Sequence, residues 1–331
     1  MKNLKFICCQ PASLYYAWQV EVMINNFLEM GIQPSQIDIV CNKVGGIIPN
    51  CWKGLMSYPV TFHFYNDTRE LPNYVSSIRP NILKQHFAKF PELSEDAIFY
   101  HDCDIIFTKP IDWITPEMID DENWYGSEVG HYLNREYILS KGQKVMDLMC
   151  EVMELPEEVI IQNNSGTIGA QYLMKNVTSD YWARVEKDSE DLFVRVNNLN
   201  ARLIFENALE IDKARRWHKK KPKKYHELQI WCADMFSVLW GAWRLGFKTI
   251  SDPAFDFSWA SAKVCKKDEI DDFARCNIFH NAGVTDNDQG LFFKADYQDK
   301  TPYDTDLKLK EGASAEYYKW IKKVGEISKI K

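Results

Sequence analysis

The stretch AIFYHDCDIIF, residues 97–107, carries the strongest signal in the sequence. Its apolar runs are typical of a buried strand, yet Asp102 and Asp104 interrupt them one residue apart. Side chains at positions i and i+2 of a strand point to the same side, so the two carboxylates repel each other unless a cation joins them. Mg²⁺ and Mn²⁺ prefer oxygen ligands, and ligands of open α/β sheets gather at the carboxyl ends of strands. We therefore predict a metal pair; the alternative is two solvated aspartates on an edge strand or in a turn.

Strands and helices alternate on the N-terminal side of this stretch. Apolar or alternating runs predict strands over residues 5–9, 37–41 and 60–66. A helical stripe predicts a helix over 15–30, and Pro80 precedes a second predicted helix over 81–90. This alternation favours a doubly wound, Rossmann-like α/β fold whose mostly parallel central sheet is flanked by helices.

The remainder of the chain extends this domain. We predict one catalytic α/β domain over residues 1–305, with a polar and basic insertion at about 185–227 that forms a subdomain or a loop. An apolar helix is expected over 228–246. From 306 to 331 the chain becomes charged, and a Lys-rich C-terminal helix is expected to pack against the domain.

Composition excludes several classes of protein. The 331 residues include 26% charged and 46% hydrophobic residues and carry a net charge of −7, which excludes wholesale disorder. The nine cysteines form no CxxC pair, which argues against a zinc knuckle or a disulfide scaffold and favours a reducing compartment. No signal segment and no apolar run of about 18 residues is visible. We therefore expect a cytoplasmic protein without a membrane partner.

An apolar strand that runs into Asp-x-Asp and then a second apolar run resembles the GT-A glycosyltransferases. The resemblance extends over roughly residues 5–303, most of the chain. Residues 163–177, NNSGTIGAQYLMKNV, resemble the donor-sugar segment of that family. Their sequence looks especially similar to the hydroxyproline arabinosyltransferase and peptidyl-serine galactosyltransferase branch. The resemblance implies a GT-A fold and a nucleoside diphosphate sugar as donor, with a UDP-sugar favoured.

The resemblance also implies which residues meet the donor. The first strand end offers a base contact, the basic residues before the acidic strand face the diphosphate, and amides of 163–177 bind sugar hydroxyls. The implied donor contacts are Gln10, Arg79, Lys84, Asp102, Asn164, Ser165, Gly169 and Lys294. For each, a structural role is the competing interpretation: a buried strand end, surface charges, a turn between strand and helix, or a solvated lysine.

A histidine near the C-terminus fits the metal site of the same family. Residues 276–284 read CNIFHNAGV, a short strand that delivers His280 into a turn. The resemblance makes His280 the third ligand beside Asp102 and Asp104. Two carboxylates and one imidazole suit Mn²⁺ better than Ca²⁺, with Mg²⁺ as the second choice. The competing interpretation is a histidine that only makes structural hydrogen bonds.

One acid and one amide are candidates for catalysis. Asp234 lies among apolar residues of the helix predicted over 228–246, where an acid pairs with a cation, caps a helix or faces a site. It is the candidate general base toward the acceptor hydroxyl, or a positioning carboxylate in a retaining enzyme, with Glu227 as runner-up. Gln171 of the glycine-containing segment is the second candidate, as a hydrogen-bonding group at the sugar.

A basic run suggests a polyanionic partner. Residues 213–224 hold eight Lys or Arg in an otherwise acidic protein. Such blocks are usually solvated, and they also contact polyanions. DNA that carries a hydroxylated base, such as a 5-hydroxymethyl pyrimidine, is therefore one candidate acceptor.

Together these features predict a metal-dependent glycosyltransferase that moves a hexose or pentose to an acceptor hydroxyl, with retention favoured. A protein or glycan acceptor is the alternative to DNA. A nucleotidyltransferase or metal phosphohydrolase uses similar acid pairs, although neither a P-loop nor a GxGxxG follows the first strand. A non-catalytic sugar- or nucleic-acid-binding module is the third class.

Overall fold

A computed structural model describes residues 4–262 and 272–330 of the chain. The strands are β1 (Leu4–Pro11), β2 (Ile37–Asn42), β3 (Thr61–Tyr65), β4 (Ala97–His101), β5 (Ile105–Phe107), β6 (Asn123–Glu128), β7 (Ile168–Met174), β8 (Lys248–Ser251), β9 (Phe257–Trp259) and β10 (Ile278–His280). The helices are α1 (Leu14–Glu29), α2 (Asn50–Leu55), α3 (Ile78–Lys89), α4 (Gly130–Leu133), α5 (Arg135–Leu139), α6 (Gln143–Met153), α7 (Glu157–Asn163), α8 (Ser179–Arg216), α9 (Ala233–Arg244), α10 (Asp272–Arg275) and α11 (Ala313–Gly325).

Seven strands form the central sheet in the order β3-β2-β1-β4-β7-β6-β8. β1 pairs in parallel with β2 and β4, β2 with β3 and β6 with β8, whereas β7 runs antiparallel to both of its neighbours. Both β2 and β4 are buried along their whole length, as expected for strands covered by helices on both faces. The predicted α/β fold with a mostly parallel sheet is confirmed.

The strand order reverses beside β1. The chain proceeds outward from β1 to β2 and β3 and then returns to add β4 on the other side of β1. The crevice between the carboxyl ends of two such strands is where open α/β sheets bind ligands. The fold therefore places a binding crevice where β1 and β4 end.

The stretch 97–107 is divided between two sheets. β4 belongs to the central sheet, whereas β5 forms a three-stranded sheet in the order β5-β10-β9. Asp102 and Asp104 consequently lie in the turn between the two strands and not within one strand. The two apolar runs are explained by this division, because both β4 and β5 are buried throughout.

Residues 185–216 form part of one helix, α8, which is 38 residues long. Its first half packs against α3 and α9 through buried side chains that include Trp182, Val185 and Leu192. The first part of the predicted insertion is therefore one continuous helix, and the division of the chain into domains stays a prediction. The predicted helix 228–246 is shorter than expected and begins only at Ala233.

The C-terminal helix packs on the body, as predicted. Tyr317 and Ile321 of α11 are fully buried in a cluster shared with Trp18 of α1. Below this cluster the buried carboxylate of Glu21 accepts hydrogen bonds from the Tyr303 hydroxyl at 2.7 Å and from the Lys329 backbone amide at 2.6 Å. Within the described residues, no helix has both the length and the apolar character that crossing a bilayer demands.

We expect acid to destabilise the fold through His86. Burial and the neighbouring His63 lower the pKa of His86 from its ordinary 6.5 to about 3. Between the ordinary pKa and the lowered one, the unfolded chain therefore binds a proton at His86 and the folded chain does not. The stability that comes from a neutral His86 is lost as the pH falls through this range. The free energy of unfolding should fall by about 1.4 kcal/mol per pH unit through this group. Urea unfolding of His86→Asn should show a shallower pH dependence than that of the unchanged protein; equal slopes would contradict the assignment.

Candidate active site

A cavity of about 310 Å³ opens where β1 and β4 end. Its walls come from the ends of these strands, from the start of α3, from α9 and from the segment that carries Lys294. The side chains predicted as site residues that line it are those of Gln10, Arg79, Asp102, Asp104, Asp234, His280 and Lys294. The cavity therefore collects seven of the residues predicted from the sequence, although they lie as far apart as positions 10 and 294.

Three potential metal ligands meet at one end of the cavity. One ligand atom from each of Asp102, Asp104 and His280 lies within 4.8 Å of the other two. The imidazole Nε2 of His280 is 3.3 Å from Asp104 Oδ1 and 3.6 Å from Asp102 Oδ2. β10 pairs with β5 so that His280 lies opposite Ile105, which brings the C-terminal histidine beside the acidic turn.

Two buried side chains, Gln171 and Ser127, orient the imidazole of His280. The amide nitrogen of Gln171 lies 3.4 Å from His280 Nδ1, and the Ser127 hydroxyl donates to Gln171 Oε1 at 2.7 Å. Gln171 is fully buried and is not among the residues that line the cavity. The structure thus gives Gln171 contact with the imidazole and not with the cavity, which suits a positioning residue and not a catalytic one.

Arg79 joins the acidic turn to α9. Its Nη1 is 2.5 Å from Asp102 Oδ1, and its Nη2 is 2.7 Å from Asp234 Oδ2. Burial works against the charge, but Asp234 and Asp102 outweigh it and raise the pKa of Arg79. The guanidinium therefore remains a cation and fixes the separation of two carboxylates, which its planar fork does better than an ammonium group.

Lys294 pairs with the second acid of the turn. Its ammonium group forms an ion pair with Asp104 Oδ2. Burial alone would raise the pKa of Asp104, but Lys294 and His280 overcome it and hold that pKa well below its ordinary value. In turn, although burial opposes its charge, Asp104 raises the pKa of Lys294. Both groups are thus charged at neutral pH, and Lys294 is positioned at the end of the cavity where Asp102, Asp104 and His280 meet.

Both carboxylate oxygens of Asp234 are engaged. Oδ2 binds Arg79, and Oδ1 accepts a hydrogen bond from the Tyr74 hydroxyl at 2.6 Å. Burial, followed by the charge of Asp234, raises the pKa of Tyr74, so the phenol keeps its proton. Tyr74 escaped the sequence analysis, because a tyrosine without a charged motif around it reads as a core residue. A carboxylate held in this way is poorly placed to accept a proton.

Several buried polar atoms of the site have no hydrogen-bond partner among the described residues. They are Gln10 Oε1, the hydroxyl of Tyr172 and the side-chain nitrogen of Asn281. Gln10 and Tyr172 line the cavity, and Asn281 follows His280. Buried polar groups are normally paired, so unpaired ones at a cavity indicate groups that a ligand or an ordered water satisfies. Tyr172 and Asn281 were not predicted from the sequence.

The structure places four of the predicted donor residues outside the cavity lining. Lys84 forms an ion pair with Glu186 of α8 at 2.5 Å. Asn164 donates to Glu136 and accepts from the Arg135 amide, and Ser165 is exposed. A Cβ on the fourth residue, Gly169, would lie 2.7 Å from side-chain carbons of Met235 and Val129.

Gly166 shows the same kind of protein contact, because a Cβ there would lie 2.0 Å from the Thr249 carbonyl oxygen. Both glycines are thus explained by close packing of the chain on itself. The polar side chains of Lys84 and Asn164 are likewise explained by partners within the fold. Their roles toward a donor stay predictions.

No protein-family model matches the sequence, and no curated protein matches it. Among solved structures, the fold is similar to the WbbM bifunctional glycosyltransferase, with a TM-score of 0.47 and 10% identity over 97% of this chain and 50% of that chain. The chain thus spans half the length of WbbM. It is also similar to the galactosyltransferase LgtC in complex with donor and acceptor sugar analogues (TM-score 0.43, 11% identity, 96% of this chain and 95% of that chain). A third similar structure is mouse xyloside xylosyltransferase 1 (TM-score 0.39, 10% identity, 84% and 97%).

Removal of one hydroxyl tests whether the unpaired atoms face a ligand. We expect Tyr172→Phe to leave the unfolding free energy unchanged or to raise it by about 1 kcal/mol, because its hydroxyl is buried without a partner. The same change should raise the KM for the nucleotide-sugar donor that the sequence predicts. Tyr181→Phe is the matched control, because the Tyr181 hydroxyl donates to the Val238 carbonyl at 2.7 Å and should cost about 1 kcal/mol without a change in KM. Urea unfolding and steady-state kinetics measure both; a KM unmoved by Tyr172→Phe would remove Tyr172 from the site.

Proposed function

We propose that the protein is a metal-dependent glycosyltransferase of GT-A type, which transfers a sugar from a nucleoside diphosphate sugar to an acceptor hydroxyl. The observation that carries the proposal is the convergence of Asp102, Asp104 and His280 with the cations Arg79 and Lys294 around one cavity at the reversal of the strand order. A crevice that combines carboxylates for a metal with fixed cations fits a substrate whose leaving group is a diphosphate.

The donor set supports a hard divalent cation. Asp102, Asp104 and His280 offer two carboxylates and one imidazole, which suit Mn²⁺ or Mg²⁺. The cavity contains three carboxylates but only two fixed cations, so one negative charge is uncompensated when His280 is neutral. A bound divalent cation would supply stabilisation of the charge that develops on the departing diphosphate.

The protein's own cations support the same leaving group. Lys294 lies at the metal end of the cavity with its ammonium group fixed by Asp104, and a diphosphate oxygen placed there would gain a charge-assisted hydrogen bond. Arg79 holds Asp102 in place toward the metal and keeps Asp234 at a set distance. These groups are oriented before the substrate binds, so they stabilise developing charge without reorganising.

A neighbouring depression fits the nucleoside. It is lined by the ends of β1 and β2, including Pro11, Asn42 and Lys43, and by the turn at Gly45 and Gly46. It shares Pro11, Val75 and Ile78 with the main cavity, so a ligand can extend from one into the other. We place the base and ribose of the donor here and favour UDP as the nucleotide, with Gln10 Oε1 as the unpaired acceptor at the border of the two depressions.

Asp234 supports a retaining reaction better than an inverting one. An inverting transferase needs a free general base opposite the leaving group. Asp234 binds Arg79 and Tyr74 through both oxygens, so we assign it to positioning and not to proton transfer. In the reaction that we propose, the acceptor oxygen forms the new bond to the anomeric carbon as the bond to the diphosphate breaks, and the acceptor proton passes to the departing phosphate oxygen. The anomeric configuration of the first product, followed by NMR, tests this assignment.

The acceptor side of the cavity is aromatic. Trp231 is 61% exposed, and its ring stacks on Tyr132 with the centroids 6.2 Å apart. Trp259 lines the same cavity. Flat aromatic surfaces bind the apolar faces of sugar rings, so a glycan or glycosylated acceptor fits this wall. The hydroxylated DNA base predicted from the basic run remains the alternative acceptor, although that run is not among the residues that line the cavity.

A donor screen tests the proposal directly. Purified protein is incubated with Mn²⁺ and each of a panel of nucleotide sugars, and the unfolding temperature and the slow release of nucleoside diphosphate are measured. At a hundred times its Kd, a donor should stabilise the protein by about 2.7 kcal/mol, and EDTA should remove the effect. Release of nucleoside monophosphate or inorganic phosphate in place of nucleoside diphosphate would instead identify a nucleotidyltransferase or phosphohydrolase. No stabilisation by any donor would reject the proposal.

A further inference from the structure

The second half of α8 projects from the body together with the segment that returns from it. We call residues 201–230 the projecting hairpin. Its two limbs are held together by Asn207, whose side chain accepts from the Tyr225 amide at 2.9 Å and donates to the Lys223 carbonyl at 3.0 Å. At its base the Asn200 amide donates to the Leu228 carbonyl at 2.9 Å. The hairpin is therefore a built element and not a loose loop.

The outer face of the hairpin exposes large apolar side chains. Phe205 and Leu209 are 64% and 44% exposed and lie one helical turn apart, so they form one apolar face. Ile204 beside them is 44% exposed, and Trp217 at the tip is 74% exposed. Single exposed apolar residues are common on soluble proteins, but a group of this kind on one projecting element indicates an interaction surface.

The same element carries a dense positive charge. Eight Lys or Arg fall within residues 213–224, in a protein of net charge −7. All eight are exposed: Lys213, Arg215, Arg216, Lys219, Lys220, Lys221, Lys223 and Lys224. Arg216 forms an ion pair with Asp212 at 2.5 Å. The charge is thus concentrated at the tip and on the returning limb, next to the exposed Trp217.

We propose that the projecting hairpin docks the protein onto an anionic lipid surface. Basic side chains next to exposed aromatic and aliphatic ones match the two layers of such a surface: anionic headgroups outside and acyl chains beneath. Tryptophan is favoured at this boundary, and Trp217 occupies the tip. Nucleic acid would account for the lysines but offers no apolar layer for Ile204, Phe205 and Leu209. The surface is independent of the proposed reaction, since none of these residues lines the cavity.

The hairpin leads directly into the active-site wall. Its returning limb ends with buried Leu228 and Ile230, and the next residue is Trp231, which lines the cavity together with Asp234. A protein docked through this hairpin would keep the aromatic wall of the cavity in a fixed relation to the membrane. Where the proposed function holds, this arrangement suits an acceptor presented at a lipid surface.

Vesicle flotation tests the proposal with variants of equal charge change. The full chain is mixed with phosphatidylcholine vesicles that contain or lack phosphatidylglycerol, at low and at moderate salt. Lys219→Glu/Lys220→Glu/Lys221→Glu removes charge from the tip, and Phe205→Ser/Leu209→Ser removes the apolar face. Lys300→Glu/Lys308→Glu/Lys319→Glu is the control, since it makes the same charge change on exposed lysines elsewhere. The unfolding temperature verifies that each variant is folded.

The expected result is binding to the anionic vesicles only, weakened by salt. Both hairpin variants should lose roughly tenfold or more in affinity, whereas the control should keep most of it. Absence of binding to anionic vesicles would overturn the proposal. Binding of each variant to duplex DNA is measured in parallel. The proposal would also be overturned if the apolar variant bound vesicles like the unchanged protein and the charge variant lost binding to both vesicles and DNA. The hairpin would then be a general polyanion site. Equal losses in the control and the hairpin variants would overturn the proposal as well.

Discussion

Asp104→Asn should lower the rate of sugar transfer by about a thousandfold and abolish Mn²⁺ binding. The substitution keeps the shape of the side chain but removes the charge that faces His280 and Lys294. A metal at a phosphoryl leaving group contributes several kcal/mol, and each 1.4 kcal/mol corresponds to a factor of ten in rate. Donor hydrolysis measures the rate, and isothermal titration with Mn²⁺ measures the binding.

This variant also leaves the Lys294 ammonium group without its carboxylate. We therefore expect Asp104→Asn to destabilise the protein by about 2 kcal/mol, and the double variant Asp104→Asn/Lys294→Met to recover most of that loss without recovering activity. The double variant separates a folding defect from a chemical one. Transfer at the original rate in the single variant would show that Asp104 holds no catalytic metal.

Arg79→Met should be the most destabilising substitution at the site. It removes the cation that Asp102 and Asp234 share, at 2.5 and 2.7 Å, and leaves both carboxylates facing each other across the cavity wall. Removal of one partner from a buried ion pair typically costs about 3–5 kcal/mol, and we expect the lower end here because the side chains of Arg79 and Asp102 are 25% and 31% exposed. Arg79→Lys should recover part of this loss but not the activity, because one ammonium group does not replace a fork that binds two carboxylates. Urea unfolding and donor hydrolysis measure the two effects.

Lys84→Met provides the matched control on the same helix. Lys84 forms an ion pair with Glu186 outside the cavity lining, also at 2.5 Å. We expect it to cost less stability than Arg79→Met, because it breaks one half-buried ion pair and not two, and to leave donor hydrolysis unchanged. If Lys84→Met and Arg79→Met lowered activity equally, the contrast between an ion pair at the cavity and one outside its lining would be wrong.

The charged centre of the site was predictable because each member stands out locally. Asp102, Asp104 and Asp234 are acids in apolar stretches, and His280 follows a short apolar strand. An apolar stretch rarely carries an unpaired charge, so each such residue signals a partner elsewhere. Their assembly in one cavity follows from the parallel sheet and from the pairing of β5 with β10.

The other residues depend on partners that a linear sequence does not show. Tyr74 and Tyr172 carry no charge and are expected in the core. In the structure the Tyr74 hydroxyl donates to Asp234, and the Tyr172 hydroxyl has no partner among the described residues. Asn164 and Gly169 read as ligand contacts, but their polar or close contacts are supplied by Glu136 and Met235. The spacing of residues along the sequence does not reveal these partners, because Glu136 of α5 and Met235 of α9 meet Asn164 and Gly169 only in the folded protein.

The buried side of α8 has a visible signal in the sequence. The stretch 185–227 was predicted as an insertion because it is polar, yet Val185, Leu192, Val196 and Leu199 repeat at intervals of seven, four and three residues. This spacing is typical of one buried helical stripe, and all four residues are among the buried ones of α8. The prediction rested on overall polarity and not on this periodic pattern, which is the sequence signal for the buried side of the helix.

The environment of Glu21 joins the first helix to residues that are synthesised much later. Its buried carboxylate belongs to the first helix, but part of its hydrogen bonding comes from Tyr303, Ser328 and Lys329. A nascent or prematurely terminated chain lacks these donors and would have to bury a carboxylate that is only partly compensated. The stability of α1 therefore depends on a segment that is made about three hundred residues later, and loss of residues 303–329 should weaken this first helix.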